Sequence, residues 1–124
     1  MIPADLLDKL REKDPELWDK LQEQFEKLKA YQEDRVYEVD VIATFECLLQ
    51  MSGWILQGLL QEAIRAHRPD YIGTWFYNLE YVEVGRIEAK IFNRAGIISE
   101  GVADTEAEAL CRAYLDAIQT EDKT

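Results

Sequence analysis

The sequence predicts an α+β fold: a small antiparallel sheet packed against helices, with a long N-terminal helical region and an apolar central helix. Three observations predict it. In residues 75–81 the odd positions are Trp75, Tyr77, Leu79 and Tyr81, and the even ones include Asn78 and Glu80. That period of two marks a half-buried strand. After Gly85 a second run sets Ile87, Ala89 and Ile91 on one parity and Arg86, Glu88, Lys90 and Arg94 on the other. Ala107, Leu110, Cys111, Tyr114, Leu115 and Ile118 then form one helical stripe, which needs an apolar surface such as the hairpin to lie on.

The two alternating runs set a register. With Glu83, Val84 and Gly85 as a three-residue loop, Val82 stands opposite Arg86, Tyr81 opposite Ile87, Leu79 opposite Ala89 and Tyr77 opposite Ile91. A two-residue loop in an unbroken ladder would set apolar against charged at every step. Ala95-Gly96 makes the next turn, and Ile97 to Val102 a short third strand. Asp104 or Thr105 starts the last helix, where Thr105-Glu106-Ala107-Glu108 has the pattern of a capping box.

The elements before the hairpin are helical for the most part. Pro3 to Lys13 carries Leu6, Leu7 and Leu10 on one face, with Pro3 in the first turn, where proline is tolerated. Asp14-Pro15-Glu16 is a second start signal, an N-cap before a first-turn proline. Trp18, Leu21, Phe25 and Leu28 then follow at coiled-coil spacing, which suits either a solvated helix on its own domain or a partner contact. Val36 to Ile42 reads as an extra strand, and Thr44 to Arg68 as a helix apolar nearly all round. Gly53 and Gly58 interrupt that helix and mark a kink or a close contact. So wide an apolar face in so small a chain points to burial between subunits and hence to a homo-oligomer.

By length the chain is one domain, 1–124, with N-terminal helices over 1–33 and a sheet-and-helix core over 34–124. Its net charge of −11 argues against nucleic-acid binding and favours a basic partner. Polar residues through the central helix argue against a membrane span, and the N-terminus has no secretion signal, so the expected location is cytoplasmic. Cys47 and Cys111 read as core thiols in a reducing compartment.

The sequence contains no P-loop, GxGxxG, GxSxG or HExxH motif, and its one histidine, His67, leaves no pair for a metal site. The chain is therefore read as a non-enzyme without cofactor or metal, and His67, between Arg65 and Arg68, as a helix-end cation. The residues that could bind something are Trp75, Phe76, Tyr77, Tyr81 and Phe92, with Arg86, Lys90 and Arg94 on the charged strand. Rings stack on bases and guanidinium forks hold phosphates, although an aromatic strand face under a helix is ordinarily core. Arg112, flanked by Glu108 and Asp116 at helical spacing, forms either an intrahelical pair or, with Arg86 and Arg94, part of an anion pocket.

The run Gly101-Val102-Ala103-Asp104-Thr105-Glu106-Ala107-Glu108-Ala109-Leu110-Cys111-Arg112-Ala113 resembles the closing segment of the phage ABA-sandwich domain family, which typically ends in an "ADT…A(I/L)CRA" helix. The resemblance covers the last third of the chain. One branch of that family comprises anti-Thoeris sponges, oligomers that bind a cyclic ADP-ribose signal without cleaving it. It implies a counter-defence protein of an infected cell that sequesters a cyclic nucleotide signal. Arg112 is the position carried over from the motif; Trp75, Tyr77, Asn93 and Arg94 are neighbours inferred from this sequence. Two other classes stay open: an acidic DNA mimic that inhibits a nuclease complex, and a structural oligomerisation protein.

Overall fold

In the computed structural model, residues 2–33 and 53–122 are described. The first two helices begin where their prolines stand. Helix α1 spans Ala4–Lys13 and buries Leu6, Leu7 and Leu10. Asp14 accepts a 3.1 Å hydrogen bond at Oδ1 from the Leu17 amide and so caps α2, Pro15–Glu33. Leu17, Trp18 and Leu21 are buried along α2, so the start of the apolar seam faces the chain's own core. The expected strand Val36 to Ile42, the first part of the expected central helix, and Cys47 lie outside the described residues.

Helix α3 spans Trp54–Ala66. Gly53 precedes it with φ 66°, a left-handed conformation that an α-helix interior does not contain, so the run from Thr44 to Arg68 is not one continuous helix. A Cβ at Gly53 would lie 2.8 Å from the Ala107 Cβ, so this glycine marks a close helix contact as well. Gly58 meets nothing and has no such role. Leu56, Leu60 and Ile64, four residues apart, are fully buried, while Ile55, Leu59 and Ala63 are partly buried. Helices α2 and the C-terminal α4 (Glu106–Asp122) of the same chain pack on α3.

Strands β1 (Phe76–Glu83), β2 (Arg86–Asn93) and β3 (Gly96–Ala103) form an antiparallel sheet in the order β1-β2-β3. The predicted pairs Tyr77/Ile91, Leu79/Ala89 and Tyr81/Ile87 are present. The turn differs from expectation: Glu83, not Val82, stands opposite Arg86, and the register shifts between Tyr81 and Glu83. An odd residue has to be accommodated to keep apolar facing apolar, and a bulge at Val82 does this while Gly85, φ 76°, closes the turn.

Helix α4 lies across the inner face of the sheet. Thr105 caps it, its Oγ1 accepting from the Glu108 amide at 3.3 Å. The buried side of α4 is wider than the predicted stripe, because Ala109, Ala113 and Ala117 are fully buried too. These alanines allow a close approach to β3. A Cβ on Gly101 would lie 2.6 Å from the Ala113 nitrogen, and Ser99 Oγ donates to the Ala113 carbonyl at 2.7 Å. At the other edge Tyr81 donates its hydroxyl proton to Glu106, which also accepts from Gln57 at 3.1 Å, tying β1, α3 and α4 together. Among the described residues no helix is long and apolar enough to cross a membrane.

Candidate functional site

The residues singled out in the sequence do not converge on one pocket. Arg86 and Asn93 stand at opposite ends of β2, seven residues apart, which is roughly 24 Å at strand rise. Arg86 lies 3.7 Å from Glu83 and 3.6 Å from Glu88. Arg112 pairs with Glu108 at 3.4 Å and flanks Gly101, which is level with Ala89 in the middle of β2. An anion pocket shared by Arg86, Arg94 and Arg112 is therefore not formed; the strand length between them and their acidic neighbours prevent it. Trp75 is a core residue, 6% exposed, with its ring stacked on His67 at 3.7 Å and edge-on to Tyr114 at 6.3 Å. Asn93 shapes the β2–β3 turn, its Oδ1 accepting from the Ala95 amide at 2.8 Å.

Arg94 and Tyr77 do belong to one end of the molecule, around the start of β1. Arg94 donates through Nε to the Tyr71 carbonyl at 3.1 Å and lies 3.8 Å from the Tyr71 ring centre and 5.6 Å from that of Phe76. Side chains alternate along a strand, so Phe76 and Tyr77 point to opposite faces. On the second face Arg65 donates to the Tyr77 hydroxyl at 2.9 Å, and Arg68 donates to the Arg65 carbonyl at 2.9 Å. The described arginines thus fall into two groups. Arg11, Arg86 and Arg112 each have a carboxylate neighbour, whereas Arg65, Arg68 and Arg94 have none among the described residues. The second group keeps its positive charge available beside exposed rings, with Tyr71 71% exposed.

A separate cleft of about 210 Å³ opens between the α1–α2 junction, the C-terminal end of α3 and the last turns of α4. Two polar pairs line it. Tyr114 donates to Asp14 Oδ2 at 2.5 Å, and His67 Nε2 lies 3.0 Å from Glu121 Oε2. Burial, then the bond to Asp14, push the Tyr114 hydroxyl above its ordinary range, so it stays a neutral donor. Trp75 supplies a wall and Lys13 stands at the edge.

Sequence reasoning reached Arg94 and Tyr77 but not this cleft. Asp14 and Tyr114 are 100 residues apart, and no local pattern announces that a capping carboxylate will also receive a phenol from the last helix. Tyr71 lies in a turn after Pro69, where periodicity carries no signal. Among the described residues no group of three or more His, Cys, Asp or Glu side chains is placed to hold a metal ion. Compared with family models, curated proteins and solved structures, the chain matches none.

Proposed function

We propose that this chain binds and sequesters a cyclic nucleotide signal, ADP-ribose-derived or a cyclic oligonucleotide, without chemical conversion. The observation that carries the reading is the set of three arginines without carboxylate partners at one end of a chain of net charge −11. Guanidinium groups grip phosphate oxygens in pairs, and a ring beside them offers a platform for a base. Arg94 over Tyr71 and Phe76, and Arg65 beside Tyr77, hold both elements in contact. The likeness of the last helix to the sponge branch supports the same reading, but it moves the site from Arg112 to the start of β1. The likeness also carries a homo-oligomer, to be tested by sedimentation.

The test is a thermal-shift panel of cyclic dinucleotides, cyclic trinucleotides, ADP-ribose and its cyclic isomers. A ligand at a thousandfold excess over its Kd adds about 4 kcal/mol to stability. With the responding compound, Arg94→Ala is expected to lose about tenfold to a hundredfold in affinity, as for a lost hydrogen bond to a charged group. Arg112→Ala should stay within about twofold, since less than half a kcal/mol separates those values. A flat panel overturns the reading. An acidic inhibitor of a basic protein, favoured by the net charge, would instead show a pull-down partner released by salt.

A further inference from the structure

We propose that the cleft between the α1–α2 junction and the C-terminal turns of α3 and α4 is a binding site for a small organic cation, an alkylammonium with an apolar body. The inference is independent of the nucleotide reading, because it rests on different residues with the opposite electrostatics. Two of its walls are rings set at right angles: Trp75 and Tyr114 meet at 85° with centres 6.3 Å apart. Ring faces carry negative quadrupole potential, so such a corner attracts a cation and accommodates its methyl groups. Ala63 and Ile118 complete the apolar lining.

The charges select the sign of the ligand. Asp14 and Glu121 both line the cleft, against one fixed cation, Lys13. Asp14 is held in place by the Leu17 amide at 3.1 Å and by the Tyr114 hydroxyl at 2.5 Å. Each carboxylate oxygen has two lone-pair sites, so both bonds leave acceptor capacity towards the cleft. Glu121 keeps half of its side chain exposed while orienting His67, whose ring covers the other side of Trp75. An anion entering here would face two carboxylates, whereas a cation would meet two carboxylates and the ring corner. The volume of about 210 Å³ fits a compound of choline size, and the net charge of −11 raises the local concentration of cations.

Calorimetric titration of the full chain with choline, and with its neutral isostere 3,3-dimethylbutanol, tests this. Choline is expected to saturate one site and to bind roughly tenfold tighter than the isostere, a difference of ring-cation size. Glu121→Gln, at a half-exposed position, should weaken choline about tenfold, and Lys13→Gln should tighten it severalfold by removing the like charge. Circular dichroism confirms that both variants fold. The proposal is overturned if choline shows no saturable binding, if the isostere binds equally well, or if Lys13→Gln weakens binding, the last outcome marking an anion site.

Discussion

The two faces of the sheet share three strands and differ in what covers them. The inner face presents the rows Tyr77–Ile91–Ser99, Leu79–Ala89–Gly101 and Tyr81–Ile87–Ala103, with α4 pressed onto the middle row. The outer face presents Phe76–Phe92–Ile97, Asn78–Lys90–Glu100 and Glu80–Glu88–Val102, with Phe76, Ile97 and Val102 exposed. Small residues sit where the helix touches and large ones where it does not. The inner face therefore depends on close fit, and the outer face on charge pairing such as Lys90 with Glu80 at 3.9 Å. Cross-strand pairs on an open face are worth at most about 1 kcal/mol each, so the stability of this half of the chain comes from the inner side.

The largest effect should come from Gly101→Val. Its Cβ would lie 2.6 Å from the Ala113 nitrogen and 2.9 Å from the Arg112 Cβ, and helical backbone cannot yield as a side chain does. A clash of that kind exceeds the usual range for point substitutions, above about 4 kcal/mol, out of a total stability of about 5–15 kcal/mol. Loss of a cooperative melt in circular dichroism is the expected result. A variant that still melted cooperatively with little loss would mean that α4 does not approach β3 this closely in solution.

Neighbouring residues on β2 allow a finer comparison. Ile91 is fully buried on the inner face, and Phe92 is partly buried on the outer one, its ring 5.7 Å from that of Phe76. Ile91→Ala should cost about 2–5 kcal/mol, the transfer term plus the cavity left under α4. Phe92→Ala should cost about 1 kcal/mol, mostly the ring pair. Urea titrations of both variants give the two values directly. Equal costs would show that the outer face is covered in solution, and the distinction between the faces would have to be withdrawn.

This contrast also explains what could be read in the sequence. Alternation fixed the strand faces and the register of Tyr77, Leu79 and Tyr81, because a one-residue slip would expose every apolar side chain. The capping residues Asp14 and Thr105 were legible because they act within one helical turn. The alanine side of α4 was not: small residues are ambiguous, and Ala109 and Ala113 count as interior only once Gly101 is known to lie beneath them. The candidate sites were legible in residue type and not in place. Arginine and aromatic residues stood out, but which arginines keep a carboxylate partner depends on three-dimensional neighbours, and alternation alone could not carry Arg86 and Arg94 to opposite ends of one strand.

The smallest expected effect concerns the thiol on the covered side. Cys111 is fully buried on α4, and burial pushes it up from its ordinary value to about 12, with the nearby Arg112 only partly opposing this. Unfolded, the same thiol ionises near its ordinary value of 9.0. Between those two values the unfolded chain releases a proton that the folded chain retains. The contribution of Cys111 to stability is therefore complete below pH 9 and declines as pH rises towards 12. The slope is about 1.4 kcal/mol per pH unit from this group. In a Cys47→Ser background, iodoacetamide should label Cys111 at pH 8.5 only as fast as the protein opens, with labelling accelerated by urea in step with the unfolding curve. Rapid labelling of the folded protein would place Cys111 at the surface and leave the inner side of α4 open to water.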